Sequence, residues 1–164
     1  MSPTGHLAMG FVAKRIEAQI PLWVLLIASY IIDLIYFCFL FLGLDTMAYA
    51  PWSHSLIMAL VWSLLGALVA YGFSHKLKLG LILGLTIFSH WVLDFIVWKH
   101  NLLTFDPSWT MGFGLYDMIG FSLNNAGFNQ GSIIATSIEL SMLILGIIIS
   151  IPALKKVRKE KKSS

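Results

Sequence analysis

Charge is scarce in this sequence: of 164 residues only 12% are Asp, Glu, Lys or Arg, while 58% are hydrophobic. The mean hydropathy is +0.82. That balance excludes an intrinsically disordered chain and an ordinary soluble enzyme, whose surface cannot be covered by so few polar groups. Cysteine is nearly missing as well. The single Cys38 sits inside an apolar run, which excludes a disulfide framework and any cysteine-based zinc site. There is no internal repeat, and no low-complexity tract apart from a basic tail. The formal charge is +3 and the pI about 9.1, but six of the eleven Lys/Arg lie in the last ten residues. Such a tail is a topology signal rather than a nucleic-acid surface.

What is present is apolar length. Four stretches reach the roughly 20 residues needed to cross a bilayer: Pro21–Leu44, Trp52–Phe73, Leu77–Trp98 and Ser132–Ile151. Each must be helical, because a spanning segment satisfies its backbone hydrogen bonds internally. The first is too long for a signal-peptide core and carries Asp33, and Pro51 argues against cleavage after Ala50, so the N-terminus is expected to be retained. With both termini cytoplasmic, ten of the eleven Lys/Arg are inside and only Lys99 is outside. The reading is an all-α integral membrane protein. Residues 1–154 form one transmembrane helical domain and 155–164 a basic cytoplasmic tail. Trp23, Trp52, Trp98 and Trp109 are placed at the interfaces as an aromatic belt. His75, between the second and third spans, is expected in solvent. Residues 99–131 are expected to form a long outer connection that gates the site. No Asn-x-Ser/Thr sequon occurs there.

Residues 4–19 read as a further helix whose polar residues, Lys14, Arg15, Glu17 and Gln19, cluster at its end. If it folds back on the first span near Gln19–Pro21, His6 and Asp33 are about equally far from the turn. At 1.5 Å rise per residue each lies roughly 20 Å away, so the two face each other. This predicts a re-entrant half-helix with His6 beside Asp33. The alternative is an amphipathic helix on the cytoplasmic surface with His6 in water.

The spans also contain Asp33, His90, Asp94 and Glu139, with His54 near the outer end of the second. A charged group at the bilayer centre costs about 2.5–3.5 kcal/mol, so three carboxylates cost on the order of 8–10 kcal/mol before compensation. No Lys or Arg lies at that depth to compensate. The acids are then protonated, or histidines or a metal ion answer them. His90 and Asp94 are spaced i, i+4 and share a helix face, which Thr86 continues. Glu139 shares a face with Ser132 and Thr136, and Asp33 with Ser29, so the polar stripes are expected to meet inside the bundle. Imidazoles and carboxylates together suit Zn²⁺, Mn²⁺ or Fe²⁺. His90 with Asp94 also reads as a simple buried hydrogen-bonded pair, and Glu139 as ligand, general base or structural group. Tyr116 and Asp117 are read as donors to the site or as loop stabilisers, and His100 and Asp106 as solvated.

Gly5-His6-x-Ala8-x-Gly10-x-x-Ala13-Lys14, followed by Pro21-x-x-x-Leu25-Leu26-x-Ala28-Ser29-x-x-x-Asp33-Leu34, resembles the opening of the YdjM-like family of bacterial membrane proteins. Ser53-His54-Ser55-Leu56, Ser89-His90-Trp91-x-Leu93-Asp94 and Gly112-Phe113-Gly114-Leu115-Tyr116 resemble its other signatures. The resemblance covers nearly the whole chain except the tail. It implies a membrane-bound metal-dependent hydrolase of the bacterial inner membrane, with His6, Asp33, His54, His90 and Asp94 as metal ligands. This chain departs from the family pattern at Trp98, with His100 two positions on, and at Asp117, where relatives carry Asn. The resulting expectation is a hydrolase in which a metal-activated water attacks an amphiphilic, lipid-type ester or phosphoester. Zinc is the first choice of metal, with manganese or iron as alternatives, and Glu139 or Asp94 takes the water's proton. Membrane lipids are the environment and the expected substrate class, with no nucleic-acid partner. The competing readings are a metal-bound structural or accessory protein and, behind it, a proton- or divalent-ion-coupled transporter.

Overall fold

The computed structural model describes residues 3–46, 50–101, 109–120 and 130–163. In chain order they form α1 (Pro3–Ile16), α2 (Leu22–Phe41), α3 (Leu56–Ser74), α4 (Leu77–Val97), the two-residue strands β1 (His100–Asn101) and β2 (Thr110–Met111), α5 (Leu115–Met118) and α6 (Gln130–Ser163). Helices α2, α3, α4 and α6 are long and apolar enough to cross a membrane. The protein is an all-α membrane protein of four spanning helices plus a short N-terminal one.

Helix α4 is the centre of the bundle, with half of its span buried against 11% for α3. It earns that place with small residues. A Cβ on Gly84 would lie 2.8 Å from the Ala67 Cβ and 2.9 Å from the Ser63 carbonyl oxygen, so α3 and α4 approach through a small-xxx-small seam formed with Gly80. Beyond it, Ile87 and Trp91 pack with Ala28, Ile32 and Ala59 into the main apolar cluster.

The N-terminal segment folds back along α2 and packs against α4 and α6, which decides between the two alternatives for it. His6, Ala8, Gly10, Ala13 and Lys14 are all buried. The approach is tight on two sides: a Cβ on Gly10 would lie 2.9 Å from the Leu25 oxygen, and one on Gly146 2.8 Å from the Ala8 oxygen. Lys14, a charge of the topology signal, has a second task. Its ammonium turns inward and donates to the carbonyls of Ala18 and Ile20 at 2.6 and 2.7 Å, closing the turn that leads into α2. Glu17 anchors the same turn to α4 through Lys78 at 2.7 Å and accepts the Gln19 N–H at 3.1 Å. The Lys78 ammonium, followed by that N–H, holds the Glu17 carboxyl below its ordinary range.

Three boundaries differ from the sequence expectation. Helix α2 ends at Phe41 rather than Leu44, because Gly43 takes a left-handed φ of +72° and turns the chain. Helix α3 starts at Leu56 rather than Trp52. Ser55 caps it by accepting the Met58 N–H at 3.3 Å while its own hydroxyl donates to the Pro51 carbonyl at 2.7 Å. Helix α6 does not stop near Ile151 but runs through Pro152 to Ser163, since the basic tail consists of good helix formers. His75 is exposed at the C-cap of α3, as expected. Of the 99–131 connection, β1 and β2 pair antiparallel, His100 opposite Met111 and Asn101 opposite Thr110. Asp106 falls outside the described residues.

Candidate metal centre

Four segments deliver the five residues singled out from the sequence to one place. His6 comes from α1, Asp33 from α2, His54 from the turn before α3, and His90 and Asp94 from successive turns of α4. His6 Nε2 lies 3.3 Å from Asp94 Oδ1, and His90 Nε2 lies 3.3 Å from Asp94 Oδ2 and 3.4 Å from Asp33 Oδ1. His54 Nε2 is 3.3 Å from Asp33 Oδ1 and 3.6 Å from Asp94 Oδ2. Two triads, His6–Asp33–His90 and His54–His90–Asp94, each hold their ligand atoms within 4.8 Å of one another and share His90. The side chains of His6 and His90 are sealed from solvent and that of Asp94 is 3% exposed, whereas Asp33 is open at 17% and His54 at 10%.

The hydrogen bonds on the far side of the rings decide what this cluster can hold. His90 Nδ1 lies 3.0 Å from the Ser29 carbonyl oxygen, which can only accept, so Nδ1 carries the proton. In the neutral ring Nε2 then presents a lone pair, and it presents it to carboxylate oxygens. That arrangement is repulsive unless a cation or an added proton lies between. His90 Nε2 and both nitrogens of His6 are buried without a hydrogen-bond partner among the described residues. The His6 and His90 rings stack face to face, 3.6 Å between centroids and 9° from parallel, so a proton on each would set like charges in contact. A divalent cation fits these residues. It accepts imidazole lone pairs, balances two carboxylates, and needs nitrogen and oxygen donors of this type.

Glu139 belongs to neither triad. Its carboxylate is buried in α6, where it accepts a 3.0 Å hydrogen bond from the Thr4 hydroxyl and a short one from the Tyr116 hydroxyl. Glu139 therefore ties α1, α5 and α6 together. Tyr116 is fully buried, and burial followed by its bond to Glu139 pushes the phenol above its ordinary value, so it stays a donor at neutral pH. Replacing Tyr116 by Phe is expected to cost about 1.5–3 kcal/mol, the range for a hydrogen bond to a charged acceptor. Thermal unfolding in detergent would read this loss, and an unchanged melting temperature would deny the tie. Asp117 is exposed beside Gly114 and does not enter the site.

Two expectations are corrected. His100 is not solvated: the β1–β2 pairing folds it back so that its ring stacks on His54, 5.7 Å between centroids and 17° from parallel. Its Nε2 is buried and unpartnered among the described residues, and burial pushes the imidazole down to about 4, leaving it neutral. Of the polar stripe expected on α6, only Glu139 is fully buried, Ser132 being half-buried and Thr136 exposed. Glu139 shares its buried face with Ala135 and Gly146, while Thr136 is exposed and lines a cavity of about 250 Å³ with Ser132, Ile133, Ser137 and Leu140. The residue that sequence reasoning missed is Asp45, fully buried just past α2. Its Oδ2 accepts the Ser53 hydroxyl at 2.6 Å, and Ser53 Oγ meets His54 Nδ1 at 2.8 Å. Nothing in the sequence marks it except its position before the Ser-His-Ser run. No protein-family model, curated protein or solved structure matches the chain.

Proposed function

We propose that the protein is a membrane-embedded, metal-dependent hydrolase acting on an amphiphilic, lipid-type ester or phosphoester. The observation that carries this is the convergence of three imidazole Nε2 atoms on two carboxylates, with buried nitrogens that have no hydrogen-bond partner among the described residues. His6, Asp33, His54, His90 and Asp94 would hold the ion, with zinc the first candidate and manganese or iron(II) next. When bound, the ion supplies a Lewis acid that makes water a nucleophile near neutral pH and polarises the oxygen of the scissile group.

The protein groups divide the remaining work. Asp94, facing all three imidazoles, orients the donor set. Asp33 is the more exposed carboxylate and takes the proton of the attacking water, in preference to Glu139, whose oxygens both receive hydroxyl donors. Access supports a lipid-type substrate. Helices α2 and α3 both pack on α4 but touch each other only sparsely, and the less deeply buried members of the cluster, Asp33 and then His54, belong to that side. We further propose the YdjM-like affiliation, the bacterial inner membrane and cytoplasmic termini, on the motifs and Lys/Arg distribution described above.

The test is hydrolysis of lipid phosphoesters and carboxyl esters in mixed micelles by chelator-stripped and by metal-reloaded protein. Turnover is expected only after reloading, at least about 100-fold above the stripped form. Equal rates in both forms would sink the mechanism. Tightly bound metal without turnover would favour the structural reading, which the sealed side chains of His6 and His90 also suit.

A further inference from the structure

Asp45 offers hydrogen-bond acceptors only, and both of its oxygens are used. Oδ1 accepts the backbone N–H of Trp52 at 2.9 Å, and Oδ2 accepts the Ser53 hydroxyl at 2.6 Å. The single Ser53 proton is therefore committed to Asp45. Toward His54 Nδ1, 2.8 Å away, Ser53 Oγ can act only as an acceptor, and Nδ1 has to carry the proton. All three residues are buried, so water does not scramble this order. Unaided, a neutral His54 ring would take the opposite tautomer, because a proton on Nε2 would face Asp33 and Asp94 at 3.3 and 3.6 Å.

We propose that Asp45, acting through Ser53, fixes the tautomer of His54 and aims a bare Nε2 at the cation site. Asp45 is thus a positioning residue, one hydroxyl removed from the ligand it controls. The affinity part of this inference rests on the metal-centre reading, whereas the tautomer part does not.

Asp45→Asn tests it with almost no change in shape. The Trp52 N–H can only donate, so the amide oxygen must take the place of Oδ1 and the NH₂ group must face Ser53 Oγ. Ser53 then accepts from the amide and turns its own proton toward His54. Nδ1 becomes the acceptor, and the ring proton moves to Nε2. Nitrogen-15 NMR of histidine-labelled, metal-free protein reads this directly: His54 Nδ1 is expected to be protonated in the natural chain and bare in Asp45→Asn. Zinc affinity, measured by chelator competition, is expected to fall about 10–100-fold, as for loss of a group orienting a ligating histidine. A His54 that keeps its Nδ1 proton in Asp45→Asn overturns the inference. A tautomer that switches with no change in zinc affinity upholds the hydrogen-bond relay and overturns the metal-centre reading. Should Asp45→Asn fail to fold, Ser53→Ala gives the same reading. With no acceptor at Nδ1 the proton moves to Nε2, and its retention on Nδ1 overturns the inference equally.

Discussion

Asp94→Ala is expected to leave the protein without metal. Purified wild-type protein should carry at least one equivalent of zinc, manganese or iron by mass spectrometry, and the variant none. The effect is large because Asp94 touches every imidazole of the cluster, with one oxygen toward His6 and the other toward His54 and His90. The isosteric Asp94→Asn adds a stability contrast of opposite signs. A ligand at 100 times its dissociation constant stabilises the folded state by about 2.7 kcal/mol, so in saturating metal the wild type should melt higher than the variant. In chelator the order should shrink or reverse, because the carboxylates of Asp33 and Asp94 then face imidazole lone pairs with no cation between, and the variant removes one of those charges. Wild type without metal as purified, and taking up none on titration, would leave the cluster as a protonated hydrogen-bond network and point to proton-coupled transport instead.

Gly146→Leu is expected to damage the same centre from the other side of the molecule. A Cβ at Gly146 would stand 2.8 Å from the Ala8 carbonyl oxygen and 3.0 Å from its Cα, backbone atoms that cannot swing aside as a side chain would. Either α1 shifts away from α6 or the bundle carries the strain, at about 1–3 kcal/mol for overpacking. Because α1 carries His6, metal affinity should fall together with thermal stability. Gly72→Leu is the control, since a Cβ there meets nothing within 4 Å. Equal behaviour of the two variants would show that α1 is not seated as described.

These residues also show which parts of the molecule can be read without coordinates. The spans were legible because an unbroken apolar run has few alternatives to a membrane helix. His90 and Asp94 were legible because i, i+4 spacing puts both on one face whatever the surroundings. His6 came within reach by counting equal rises from a turn, and the turn is where the count put it, closed by Lys14. What resisted reading depends on loops. Asp45 gains its meaning only once Gly43 turns the chain and brings the 50–55 segment back, a closure with no periodic signature. His100 required a two-residue strand pairing to bury its Nε2 against His54. The inward face of α6 was misjudged because Ser and Thr satisfy their own hydroxyls within a helix, as Ser141 does on the Ser137 carbonyl, and so need not mark an interior stripe.

The seating of α1 also sets an order of assembly. Its most extensive contact is with α6, which is made after α1, α2, α3 and α4. During synthesis, which proceeds N-terminus first, His6 waits without its final neighbours until the other three long helices and then α6 have been inserted. Without α6, α1 lacks the wall that closes over it, so the seat of His6 is complete only once α6 is in place. A helix made later thereby seats one made earlier.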